Sequence, residues 1–159
     1  MNPPRPSHAS QRTTRVQTAL RLLLGAALLF AGVAHLSWAR IAFQAQVPRW
    51  LPLPADLVVV ASGIIEVVLG GAVLAVARYR IIVGWIVAGF FVAIFPGNIA
   101  QYLNRSDAFG LDSDQARTLR LLFQPVLVAW ALWATGAWQA WRAGQRSRRT
   151  GATTRSSDE

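Results

Sequence analysis

Ser62-Gly63-Ile64-Ile65-Glu66-Val67-Val68-Leu69-Gly70-Gly71 lies inside a run that is otherwise apolar from Leu57 to Ala77. Roughly 20 apolar residues cross a bilayer, so the run reads as a membrane-spanning helix. A carboxylate near the middle of such a helix is costly and is kept for a job or a partner. Ser62, Glu66 and Gly70 step by four, with Gly63 beside them. One helix face therefore carries small residues plus the carboxylate. Small faces are where membrane helices pack closely, so Glu66 is expected to point at other helices and not at lipid.

Composition agrees with a membrane protein. Of the 159 residues, 53% are hydrophobic and 14% charged, against about 25% charged in soluble domains. The net charge of +9 comes from arginine alone, since the chain has no lysine. Those arginines flank apolar runs instead of lining one face, which argues against nucleic-acid binding. Without cysteine, the chain itself offers no disulfide, thiol redox chemistry or thiolate metal site.

Four apolar runs stand out: Leu20 to Trp38, Leu57 to Ala77, Ile81 to Leu103 and Leu121 to Trp141. The first also resembles a signal peptide, with Gly32-Val33-Ala34 as a small-residue cleavage site, but cleavage would leave an odd number of spans. Eleven arginines lie in the N-terminal segment, the tight connection at Arg78 and Arg80, and the C-terminal tail; five lie in the other two loops. The positive-inside rule then puts both termini in the cytoplasm, and the inner membrane of a bacterium is the expected location. Residues 1–15 read as a disordered basic segment, 16–142 as the membrane domain and 143–159 as a disordered Arg/Ser/Thr-rich tail against anionic headgroups. Between the first two runs, Trp38, Ile41, Ala42 and Ala45 recur at helical spacing before Pro48, Pro52 and Pro54. This predicts a short amphipathic interfacial segment, either a plain connector, the simpler reading, or a cap over the mouth of the helices. The expected fold is all-α, an integral membrane four-helix bundle.

Polar residues within the runs locate a candidate site. His35, Asn98, Gln101, Arg120 and Gln124 all fall in the outer third. Glu66 lies about 15 Å below the start of its helix. Side chains lean toward their own helix N-terminus, so Glu66 leans outward while His35 and Asn98 lean inward. Pro96 removes a backbone hydrogen bond beside them. The expectation is a polar pocket in the outer half of the bundle with Glu66 as its floor. The chain has two histidines and one methionine, Met1; only His35 lies near the membrane, so haem axial pairs are missing. Asp107, Asp112 and Asp114 lack EF-hand spacing and read as a solvated loop. No metal site is expected. Trp130 and Trp133 are expected to face lipid or pack.

Four stretches, in this order and in successive runs, resemble the DoxX family of small bacterial membrane proteins: Phe30-Ala31-Gly32-Val33-Ala34-His35-Leu36; Ser62-Gly63-x-x-Glu66 with Gly70; Phe95-Pro96-Gly97-Asn98; and Arg120-Leu121-x-x-Gln124. The resemblance spans roughly Leu20 to Thr135. The chain departs from it in lacking a proline after His35, in Gly97 where the family more often has alanine, and in Leu122 where it more often has proline. The resemblance implies a four-helix membrane bundle and a link to redox metabolism, since some relatives are subunits of a thiosulfate-to-quinone oxidoreductase or associate with oxidative-stress enzymes.

Three functions follow as expectations. The first is a membrane subunit of a redox system, carrying no cofactor of its own, whose pocket takes a quinone headgroup and whose electrons come from a partner protein. The second is a non-catalytic scaffold or assembly factor in which the polar cluster locks the helices. The third is a small-solute or proton pathway, disfavoured because polar residues thin out below Glu66. The sequence leaves catalysis and oligomeric state open.

Overall fold

Thr14 caps the first helix by accepting from the Gln17 backbone N–H, while the Gln17 side chain accepts from the Thr14 backbone N–H. This reciprocal pair satisfies two otherwise orphaned donors. The computed structural model describes residues 13–104 and 113–155, and side chains only as far as residue 148. Helix α1 spans Arg15–Leu36 and a single short turn of helix, α2, spans Arg40–Gln44. Helix α3 spans Ala55–Ala75 and is entered from Pro54; a 3₁₀ turn at Ala77–Tyr79 leads to α4, Arg80–Leu103. Helix α5, Asp114–Ala134, is capped by the Ser113 hydroxyl, and α6 is Ala137–Arg155. Among the described residues there is no strand. The expected disorder of residues 1–12 and 156–159, and the Asp107 and Asp112 loop, lie outside the described residues.

Helices α1, α3 and α4 are each long and apolar enough to cross a membrane, and α5 with α6 qualifies as a fourth only if that bent pair is one span. The expected continuous run from Leu121 to Trp141 is therefore corrected. It begins earlier, at Asp114, and breaks at Thr135-Gly136, where α6 turns away by 69°. The Thr135 hydroxyl donates to the Ala131 carbonyl, the Gly136 N–H donates to the Trp133 carbonyl, and Gly136 takes φ +79. That left-handed residue ends a helix readily because it has no Cβ. The tail expected to lack structure from residue 143 instead continues α6 to Arg155. Alanine, arginine and glutamine there are good helix formers.

Two close helix pairs build the fold: α1 lies along α3, and α4 along α5. The first pair meets through glycines. A Cβ on Gly70 would come 2.8 Å from the Gly25 carbonyl oxygen, and one on Gly32 would come 2.7 Å from the Gly63 carbonyl oxygen. Gly25 faces Gly70 and Gly32 faces Gly63, so two antiparallel backbones touch at points two turns apart. In the second pair a Cβ on Gly84 would lie 2.0 Å from the Thr135 hydroxyl. Leu24, Val73, Val87, Phe91 and Ala131 join the pairs in one core. Trp130 Nε1 donates to the Leu20 carbonyl, Gln17 Nε2 to the Trp133 carbonyl and Arg21 to the Val73 carbonyl. These bonds close the half of the molecule holding the start of α1 and leave the other half to the site. The outward faces are apolar, with Phe30, Val68, Val92 and Leu122 all exposed.

Candidate functional site

A cavity of about 650 Å³ lies between the two helix pairs. His35, Glu66, Asn98, Arg120 and Gln124 line it; Gln101 is buried but is not on its wall. The proline-rich segment after α1 roofs it with Phe43, Gln46, Val47, Pro48 and Trp50. Its lining reaches down to Leu24, which precedes Gly25 and so lies at the level of Gly71, more than a turn beyond Glu66. Glu66 thus sits in the wall, and the floor is apolar, made by Leu24 and Trp130. Trp130, expected to face lipid or pack, packs against the core and also lines the void; its hydrogen-bonded indole N–H lets the ring lie inside.

The acid and the histidine meet as their side-chain lean predicts. His35 Nδ1 lies 2.9 Å from Glu66 Oε2 and 2.9 Å from the Ala31 carbonyl oxygen. A neutral or charged imidazole carries at most one proton on that nitrogen, so it cannot serve both acceptors. Glu66 Oε2 accordingly has no aligned hydrogen bond, although it is buried. The Phe43 ring stacks on His35 with centroids 3.4 Å apart and planes 14° apart. The stack fixes the imidazole plane and shields the pair from the roof side.

On the opposite wall, Asn98 Nδ2 donates to Gln124 Oε1 at 2.8 Å, and Gln124 Nε2 donates to the Phe91 carbonyl. Pro96 has no N–H, so the α4 ladder is already broken one residue beyond this carbonyl, at Val92. Arg120 donates to Gln46 Oε1 at 2.7 Å, tying α5 to the roof. Gln46 Nε2 is buried without a partner among the described residues. Arg40 and Gln44 of α2 both donate to Asp56. The Arg40 pKa is raised by that hydrogen bond first and by the carboxylate charge as a lesser cause. The roof is therefore a docked cap. Sequence reasoning named the cap as an alternative but missed Phe43 and Gln46. Their aromatic and amide character was visible, but nothing local said which wall they meet.

Gly97 is what lets the cap close. A Cβ there would sit 3.0 Å from the Gln46 carbonyl oxygen. Gly97→Leu is expected to push that carbonyl outward. Amide hydrogen exchange over residues 41–50 should rise about tenfold, equivalent to ~1.4 kcal/mol of local stability, with the global melting temperature little changed. Unchanged exchange would show that the roof does not rest on Gly97.

Residues 24–135 match the family described as a domain of unknown function, DUF8561. The chain belongs to this family. The DUF8561 segment runs from within α1 to the residue after α5 and contains all six candidate residues together with the cap. No curated protein and no solved structure matches the chain. No group of three or more histidine or acidic side chains that could hold a metal occurs among the described residues.

Proposed function

We propose that the chain is a DoxX-like integral membrane protein of the bacterial inner membrane, a subunit or partner of a redox system, and that its central cavity binds a quinone headgroup. In this reading α1, α3, α4 and the bent pair of α5 with the start of α6 cross the bilayer as a four-helix bundle, with both termini cytoplasmic. Insertion is supported by the three apolar helices of membrane-spanning length and by the large hydrophobic side chains exposed along their outward faces, a pattern uncommon on soluble monomers. Packing of α1 onto α3 through Gly25 and Gly32 supports retention of the first helix.

The observation that carries the ligand is a pair of polar groups of opposite sense in the lining of one cavity, Gln46 in its roof and Glu66 in its wall, neither with an aligned hydrogen bond. Gln46 Nε2 is a buried donor and Glu66 Oε2 a buried acceptor, each without a hydrogen bond. Unmatched buried groups are costly. A quinol hydroxyl both accepts and donates, so a quinol accepts from Gln46 at one oxygen and donates to Glu66 at the other; the quinone only accepts at both oxygens, and Glu66 then has to carry the proton. Quinone supplies the two-electron carrier chemistry when bound. Gln46 would hold one oxygen, Glu66 and His35 would hold or release the proton at the other, and the apolar floor at Leu24 and Trp130 would exclude water. The chain's own side chains carry no electrons, so a partner protein supplies them.

Mild-detergent purification followed by organic extraction tests this reading. A quinone present at near one per chain supports it, and a protein partner with no small molecule favours the scaffold. A specific observation favours that second reading: Asn98, Gln124 and Arg120 already bond within the protein and so tie the helices together. The orientation is tested separately. Reporters fused after Ser106 and at Glu159 should report opposite sides, external and internal respectively; both on one side would overturn the topology.

A further inference from the structure

A second void of about 690 Å³ lies on the outer face of α4 and α5, outside the cavity already described. Val92 and Phe95 of α4, Pro125, Val128 and Leu132 of α5, and Trp138 of α6 line it. Gln124 is common to both linings, and its bonds to Asn98 and Phe91 form the partition between them. The 69° turn at Gly136 carries α6 across the end of this groove instead of along it. There the Arg142 guanidinium sits 5.3 Å over the Trp138 ring. Arg146 and Arg148 follow on the exposed surface of α6, and no acidic residue occurs from Ala137 to Arg155.

We propose that the groove and α6 together form a binding site for an anionic phospholipid, one acyl chain in the groove and the phosphate at Arg142. The proposal rests on membrane insertion but not on the ligand of the central cavity. Trp138 joins the two parts, because its ring both closes the groove and carries the arginine. From Pro125 to Trp133 the groove wall is about 12 Å long, close to the ~15 Å depth of one leaflet's hydrocarbon. The slot is apolar apart from Gln124, whose amide is already bonded to Asn98 and to the Phe91 carbonyl, so it accepts a chain and offers little to a polar solute. The cationic, acid-free helix at its mouth selects a net negative headgroup over a zwitterionic one, whose choline would meet only like charge. Trp138 and Trp141, with centroids 5.2 Å apart, provide the amphipathic rings that settle at headgroup depth.

The test uses the full chain, delipidated in mild detergent and offered equimolar phosphatidylglycerol and phosphatidylcholine, with retained lipid counted by native mass spectrometry. Phosphatidylglycerol should be retained preferentially. Arg142→Gln should cut that preference about five-fold, the loss expected for one basic residue near the headgroups. Ala129→Trp places a large ring in the groove from an exposed position and should abolish retention without shifting the melting temperature. Equal retention of the two lipids, or full retention by Ala129→Trp, would overturn the site. Displacement of the lipid by excess inorganic phosphate alone would overturn the role of the groove. Reconstitution of the same preparation into vesicles keeps the readings apart: a chain that inserts but shows no preference sinks only the lipid site, whereas one that fails to insert sinks the membrane reading beneath it.

Discussion

Replacing Gly70 by alanine is expected to lower the melting temperature in detergent, while the same change at its neighbour Gly71 leaves it unchanged or raises it. The two positions differ in one respect. A Cβ on Gly70 would lie 2.8 Å from the Gly25 carbonyl oxygen and 2.8 Å from the Leu29 backbone nitrogen. A Cβ on Gly71 would meet nothing within 4 Å. Backbone atoms cannot swing aside as a flexible side chain can, so α1 and α3 must part along their contact. Overpacking of this kind costs about 1–3 kcal/mol, more than the ~1 kcal/mol gained by replacing a helical glycine with alanine. At Gly71 only the gain remains. Gly63→Leu and Gly70→Leu should abolish the folded form, whereas Val68→Leu should be mild because Val68 is 62% exposed. Equal behaviour of the neighbouring glycines would mean that the α1–α3 contact is not where stability resides.

Glu66→Leu is expected to keep the fold and lose the ligand. Removing one member of a buried pair costs about 3–5 kcal/mol when the other is left as an uncompensated charge. That penalty is avoided here, since His35 can be neutral and its Nδ1 still has the Ala31 carbonyl at 2.9 Å. The leucine also removes a buried acceptor that has no aligned partner. The melting temperature should therefore hold or rise. Co-purified quinone should fall at least about tenfold, the loss that follows from one hydrogen bond to an ionisable group worth ~1.5–3 kcal/mol. Glu66→Gln retains shape and hydrogen bonding but cannot exchange a proton, so it should keep part of the ligand and lose proton-coupled turnover with the partner. A purely structural Glu66 gives the reverse pattern, a lower melting temperature in the leucine variant with ligand and partner yield untouched. Full retention of both by Glu66→Leu would falsify the assignment of this carboxylate to a working site.

Much of the molecule could be read from local pattern. Run length and hydropathy located α3 and α4 to within two residues, and α1 to within two at its end and five at its start. The four-residue step of Ser62, Glu66 and Gly70 marked the buried face of α3, on which Gly63, Glu66 and Gly70 are buried. The lean of side chains along their helices brought His35 and Glu66 together although they start about six residues apart in height. These features depend on period, length and covalent geometry, which a single segment carries within itself.

Tertiary structure decided the rest. Hydropathy runs unbroken from Leu121 to Trp141, so nothing in it marks the turn at Thr135-Gly136. The turn exists because Thr135 is fully buried against Gly84 of another helix. The pairing of Gly25 with Gly70 and of Gly32 with Gly63 is a register between two helices, and each helix alone is compatible with several. The same holds for the cap. That Phe43 stacks on His35, that Gln46 takes the Arg120 hydrogen bond, and that Trp130 turns inward to the Leu20 carbonyl follow from distances between segments far apart in the chain. By itself the sequence determined which faces had to be buried; only packing determined what each face meets, because close contact between backbones admits one register and a periodic pattern admits many.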